Sequence, residues 1–269
     1  MQKGSEVKST SVTARRAAAV AGVFALAGGG VALLAHAAPA GSKAASGGLS
    51  LSPTIIEQTA KAGAGGTVTV ANHSAHTLAI TVAARPWRQS RSGVTVPNRR
   101  RTLSGVTLSD ESFTLRPKAQ RTITVGLPSS GDLYGALEVI GLPPNADSKK
   151  GIVTGYRLIG SLRDNPATPV LKLSAGKVST SGRGSSRELV LAVTNRGNTV
   201  QPVSGDVDLK GPLGTRSTHI RSVRILPRKT VEVSLGRTRG LTAGRYKASI
   251  ELDQGDLVDK VSRNVRIKR

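Results

Sequence analysis

Histidine, cysteine and clustered acids supply most hydrolytic and metal chemistry, and this chain offers few of them. It has no cysteine and four histidines in 269 residues. His73 and His76 stand three apart in a polar stretch and could give a metal two ligands. No Asp, Glu or third His lies near them in sequence, so the pair reads as turn residues. Ser129 and Ser130 are the candidate nucleophiles, without a strand–turn–helix elbow around them. The acids Asp132, Glu138, Asp164 and Glu188 are scattered. No catalytic constellation emerges, and the chain reads as a non-enzyme without cofactor or metal. Cations are the abundant chemical groups, with 39 Lys and Arg against 16 Asp and Glu. They crowd between residues 88 and 105, where Arg88, Arg91, Arg99, Arg100 and Arg101 surround a short Val-Thr-Val. A guanidinium grips phosphate or carboxylate through paired hydrogen bonds, which makes these five the candidate site for an anionic polymer or partner. The same run also reads as a solvated face or as the guard of an exposed strand edge. Trp87, the single tryptophan, could be a carbohydrate platform and reads as a core or rim aromatic.

The elements that must position these residues are strands. Beyond residue 40 no long stretch shows apolar residues at helical spacing, whereas period-two alternation recurs. In Phe113–Leu127 an apolar half-strand precedes a turn begun by Pro117, and Ile123, Val125 and Leu127 then point inward. Val68 and Val70, then Leu78, Ile80 and Val82, are inward on earlier strands. A first strand with Leu49, Leu51, Pro53 and Ile55 on one face runs into Ile56. A strand changing sheets at the proline would bury both isoleucines. The second half repeats the first: Leu189–Val200 answers Thr67–Leu78, Ile225–Leu235 answers Leu115–Val125, and Thr242–Leu252 answers Asp132–Leu142. Asn72 to Pro117 spans 45 residues and Asn195 to Pro227 spans 32, so the second copy lacks the arginine-rich insertion. A sandwich of seven strands takes about 100 residues. The expected architecture is therefore all-β, two tandem β-sandwiches at 49–163 and 170–269 joined by a proline-stiffened connection at 164–169. Val265 and Ile267 face inward on a last strand, with no apolar anchor or sorting signal after it.

Residues 1–40 have the layout of a secretory signal peptide: Arg15-Arg16, an uncharged run from Ala17 to Leu34, and Ala38-Pro39-Ala40 as the cleavage site. Residues 41–48 follow as a flexible linker. The alternative is an uncleaved helix anchoring the chain in the membrane, since the run approaches the ~20 residues that span a bilayer. The paired arginines also admit the twin-arginine route. Beyond residue 40 stand 35 basic and 15 acidic residues, a net +20. For an exported chain the available polyanions are wall polymers and anionic lipid headgroups, giving cell-wall polymer or another surface protein as partner and a possible membrane-surface contact. Nucleic acid is excluded by export and by aromatics of only 2%.

The order of three motifs is more specific than any one of them: Ser52-Pro53-Thr54 in a strand, Val70-Ala71-Asn72 before a polar turn, and Phe113-x-Leu115-x-Pro117 leading into a strand. Over roughly 48–163 it resembles the first immunoglobulin-like domain of the PapD-like superfamily, which includes the periplasmic pilus chaperones. With a second Ig-like domain behind it, the chain is also similar to Gram-positive surface proteins associated with WxL proteins and peptidoglycan binding. Residue usage suits a GC-rich bacterium. The resemblance implies a secreted cell-envelope protein that binds a surface protein or anionic wall polymer through Ig-like domains. Its alternative is a chaperone for surface or pilus-like subunits acting by strand donation. In pilus chaperones a first-strand arginine and a lysine of the last strands hold a terminal carboxylate. The arginine's place falls here at Ile55, and Arg157 and Arg163 lie in the last region, so this anchor is not carried over.

Overall fold

The computed structural model describes residues 48–60, 63, 65–128, 131–148 and 150–268. The expected signal peptide and cleavage site, most of the expected 41–48 linker, and Ser129 and Ser130 lie outside the described residues. Alternating Val, Ile, Leu and Thr pair into strands throughout, and the helices among the described residues are two single 3-10 turns, Ala146–Ser148 and Gly184–Ser186.

The first half folds as a sandwich of two sheets. One orders β1 (Leu49–Ser52), β3 (Gly66–Asn72), β8 (Gln120–Gly126) and β6 (Thr107–Leu108) as β1-β3-β8-β6. The other contains β2 (Ile55–Thr59), β10 (Tyr156–Asn165), β9 (Leu133–Leu142), β4 (Leu78–Gln89) and β5 (Thr95–Pro97) in the order β2-β10-β9-β4-β5, with β7 (Ser112–Leu115) also on β4. The segment Phe113–Leu127 thus crosses the sandwich, giving its half-strand to one sheet and its alternating strand to the other. The expected inward residues Val68, Val70, Leu78, Ile80, Val82, Ile123, Val125 and Leu127 are all buried. The first strand does change sheets at Pro53, from β1 beside β3 to β2 parallel to β10. The expectation that Ile55 and Ile56 would both be buried is corrected: Ile56 is 6% exposed and Ile55 45%. The break at Pro53-Thr54 resets the alternation, so Ile56 takes the core side of β2 and Ile55 the outer side, opposite Ser161.

The second half repeats the plan. β11 (Leu173–Ser181), β12 (Glu188–Asn195) and β15 (Thr230–Arg237) form one sheet. β14 (Gly214–Arg224), β13 (Pro202–Gly211), β16 (Gly244–Gln254) and β17 (Leu257–Ile267) form the other, in that order. Each half encloses its own core, one around Val125, Ile123 and Leu137, the other around Val233, Leu191 and Leu252. Val265 and Ile267 are buried in the second. Tyr246 is the one aromatic among the buried residues of either core, so cohesion comes from aliphatic side chains, at roughly 1.5–3 kcal/mol for each one fully buried.

The repeated asparagines pin each sandwich at one corner. Asn72 is fully buried and donates from Nδ2 to the carbonyls of His76, Leu115 and Arg116 at 2.8, 3.0 and 3.2 Å. Asn195, equally buried, donates to the carbonyls of Thr199 and Ile225 at 2.6 and 2.7 Å. Each holds the turn before β8 or β15, where Lys118 and Arg228 adopt left-handed φ of 59° and 63°. β10 runs on through Asp164 and Asn165, residues expected in the connection. Asp164 is buried there, accepting hydrogen bonds from Gln58 Nε2 and the Gly131 amide, both at 3.0 Å.

Candidate functional site

β10 presents an open edge. Its C-terminal half is covered by β2, whose pairing begins at Ser161, and the Ser161 amide donates to the Thr54 carbonyl at 2.8 Å. Backbone groups alternate in direction along a strand, so the amides and carbonyls of Arg157 and Ile159 point the same way, beyond the start of β2. Gly151–Gly155, leading into β10, carry no strand assignment. Aliphatic side chains line this run: Ile152 is fully exposed and Ile159 41% exposed. A groove of ≈ 490 Å³, lined among others by His76, Pro143, Pro144, Ile152, Val153 and Tyr156, opens at its upper end. An unpaired edge with apolar side chains is a template for another strand, and proteins ordinarily guard it.

Beside that edge lies a charge cluster on the outer face of the same sheet. Glu138, in the middle of β9, is 2% exposed. Its Oε1 accepts Nε of Arg157 at 2.7 Å and Nε of Arg99 at 2.9 Å, while Arg85 Nε lies 3.6 Å from Oε2. Three guanidiniums around one carboxylate leave an excess of two positive charges. Because Arg99 and Arg157 bind through Nε, their Nη1 and Nη2 forks have no partner among the described residues. Of these residues the sequence singled out Arg99 for anion binding. Arg85 and Arg157 escaped, although a lone Glu inside the apolar Tyr134–Leu142 strand is itself the signature of a paired charge.

The structure divides the five candidate arginines. Arg88, Arg100 and Arg101 are exposed, and their side chains make no ion pair among the described residues. Arg99 serves Glu138. Arg91 sits at the tip of the β4–β5 hairpin and meets the second sandwich, its carbonyl accepting the Glu232 amide at 2.7 Å and its guanidinium 3.9 Å from the Glu232 carboxylate. Gln89, which the sequence did not single out, clamps the same junction. Its Nε2 donates to the Arg224 carbonyl at 2.7 Å and its Oε1 accepts the Leu226 amide at 2.9 Å. Below the hairpin a cleft of ≈ 190 Å³ is lined by Trp87, Tyr134, Arg163, Val200, Arg224 and Leu226. Trp87 is thus a partly buried rim aromatic. Arg163 donates to Glu57 at 3.1 Å and Arg224 to the Val200 carbonyl at 2.9 Å, so both cleft cations are engaged. A hydrogen bond from Asn165, helped by Arg163, holds the Glu57 carboxyl below the usual range. Burial, reinforced by Asp132, Glu57 and Asp164, pushes the Tyr134 phenol up to about 12; its hydroxyl donates to the Asn198 carbonyl at 3.1 Å.

His73 and His76 do not converge on a ligand. His73 Nε2 is 2.8 Å from Ser50 Oγ, tying the turn to β1. Among the described residues no group of three or more His, Cys, Asp or Glu could hold a metal ion.

No protein-family model matches the chain, and no curated protein matches it in sequence. Among solved structures it is similar to a chain of the chaperone–tip adhesin complex of CFA/I fimbriae, at 14% identity, covering 82% of this chain and 98% of that one with a TM-score of 0.49. It is also similar to the class 5 fimbriae chaperone CfaA, at 13% identity, 82% and 99% coverage and a TM-score of 0.46. The E. coli chaperone DraB aligns at 15% identity, 82% and 98% coverage and a TM-score of 0.41.

Proposed function

We propose that this chain is a non-catalytic, extracytoplasmic binding protein that captures an extended segment of a partner surface protein by strand addition along β10, as a chaperone for surface subunits would. The observation that carries this reading is the backbone of Arg157 and Ile159, which points away from β9 and has no partner among the described residues, beside the exposed side chains of Ile152 and Ile159. Strand addition draws affinity from main-chain hydrogen bonds and specificity from alternate side chains. The free guanidinium forks of Arg157 and Arg99 beside the edge favour a segment with acidic side chains. Export rests on the signal layout of residues 1–40.

The test is hydrogen exchange with a soluble ten-residue peptide of alternating Val and Thr carrying one Glu. Binding should protect the amides of Arg157 and Ile159. Ile159→Pro removes a donor on the open side only, which an edge strand tolerates, and should abolish that protection while β9–β10 pairing persists. Peptide affinity unchanged by Ile159→Pro would overturn the reading. A second reading, binding of anionic wall polymer, is favoured by Arg88, Arg100 and Arg101, which are exposed and have no acidic partner among the described residues.

A further inference from the structure

The end of the second sandwich farthest from the cleft carries a second unassigned surface. β13 starts beside the cleft at Pro202 and ends ten residues on at Gly211, about 30 Å away at the rise of a strand. There Lys210 stands opposite Lys247, and Arg245 opposite Arg266. Like charges directly opposite on neighbouring strands destabilise a sheet. All four side chains are exposed, and none makes a hydrogen bond or ion pair among the described residues. They line a groove of ≈ 610 Å³, while Tyr246 between them turns its ring to the core side. Tyr246 is buried and donates its hydroxyl to the Thr242 carbonyl at 3.0 Å. Gly211 leaves room for this buried ring, since a Cβ there would come within 2.1 Å of it. At the other end of the same sheet the register places Glu251 opposite Lys260, which pair at 3.0 Å. The fold accommodates compensated pairs in this sheet, yet leaves two repulsive ones at the tip.

Beyond the four cations, the β13–β14 turn projects Pro212 and Leu213, with Leu213 78% exposed. A large aliphatic at a hairpin tip ringed by unpaired cations matches an anionic bilayer surface: headgroup phosphates meet the cations while the tip enters the apolar boundary. A soluble polyanion would use the cations and gain nothing from Leu213. We propose that this tip, Lys210, Arg245, Lys247, Arg266 and Leu213, is a peripheral docking site for anionic phospholipid headgroups. The β10 edge belongs to the other sandwich, so the two sites act independently.

Co-sedimentation of residues 41–269 with vesicles of phosphatidylglycerol and phosphatidylcholine tests it. Each headgroup-facing cation contributes on the order of fivefold at low salt. Arg245→Glu with Lys247→Glu should therefore reduce partition onto phosphatidylglycerol vesicles by more than about twenty-fivefold. The same substitutions place acids opposite Arg266 and Lys210, so the melting temperature should hold or rise. Leu213→Ser should reduce vesicle partition about three- to tenfold and leave binding to soluble polyphosphate unchanged. Binding should fade at 0.5 M salt, where screening shortens to a few ångströms. Leu213→Ser without effect on vesicles, while the double variant weakens vesicles and polyphosphate alike, would replace the membrane by a soluble polyanion. A double variant that binds phosphatidylglycerol as the parent does would reduce the surface to diffuse net charge and overturn the proposal.

Discussion

Replacing Asn195 by Ala removes a side chain that is fully buried and makes three hydrogen bonds. Nδ2 donates to the carbonyls of Thr199 and Ile225 at 2.6 and 2.7 Å, and Oδ1 accepts the Gly197 amide at 2.9 Å. The substitution strands two carbonyls, while the Gly197 amide keeps its bond to the Lys172 carbonyl at 3.1 Å. A buried group left unpaired costs about 1–3 kcal/mol, with carbonyls at the low end, so a loss of about 2–4 kcal/mol is expected. Whole-domain stability is of order 5–15 kcal/mol, which puts the second sandwich near its limit. At 4–8 °C per kcal/mol for a domain of this size, its melting temperature should fall by roughly 8–32 °C. Trp87, the only tryptophan, lines the cleft with Val200, Arg224 and Leu226 of the second sandwich, so its fluorescence does not isolate either half. Hydrogen exchange resolves the two. Because the cores are separate, Asn195→Ala should expose β12 and β15 while protection of β3 and β8 persists, and Asn72→Ala should do the reverse. Asn195→Asp separates hydrogen bonding from packing. It preserves shape but turns a carboxylate oxygen toward two carbonyls, so it should destabilise at least as much as Ala. A loss below about 1 kcal/mol for Ala, or an Asp variant as stable as the parent, would refute the account of these corners.

Gln89→Ala removes two hydrogen bonds across the junction, each of net value about 0.5–1.5 kcal/mol. Amide exchange at Leu226 should accelerate, with little change in either core. The chain should lose stability between pH ~10 and about 12, because the unfolded phenol ionises at its ordinary value while Tyr134 stays protonated until about 12. Tyr134→Phe should flatten that alkaline limb. Glu57 acts with the opposite sign: its contribution is full above the ordinary carboxylate value and fades as pH falls through its lowered folded value. Glu57→Gln should flatten the acid limb slightly, since the pair is half exposed and solvent screens it. Changing Arg88, Arg100 and Arg101 to Ser should weaken binding to anionic wall polymer more than changing Lys177, Arg221 and Arg239. Equal losses would mean that net charge alone drives that association.

Most of the fold was legible because its signals are local. Alternation marks which residues face a core, and Asn72 and Asn195 fall at equal places in two copies of one pattern. The error at Ile55 shows the limit of that argument. Two adjacent isoleucines can both be buried only if the strand crosses sheets between them, and the crossing occurs earlier, at Pro53-Thr54.

The candidate site was less legible because it depends on which cation finds which acid, and those partners are far apart in sequence. Five arginines in one insertion look alike until folded. Arg99 reaches a carboxylate 39 positions on, and Arg91 reaches a strand of the other sandwich. Of the five, Arg88, Arg100 and Arg101 keep exposed charge without an acid among the described residues. The insertion is therefore long for a mechanical reason as well as any binding one: Gln89 and Arg91 lie at the end of a twelve-residue strand that has outgrown its own sheet to brace the next. The surfaces left for partners are then defined by what remains unsatisfied after folding. Among the described residues these include the main-chain groups of Arg157 and Ile159, the forks of Arg99 and Arg157, the side chains of Arg88, Arg100 and Arg101, and the facing cations of β13, β16 and β17. A run of like charge becomes a binding surface only where the fold withholds its counter-charge, and at Lys210–Lys247 and Arg245–Arg266 the register itself withholds it.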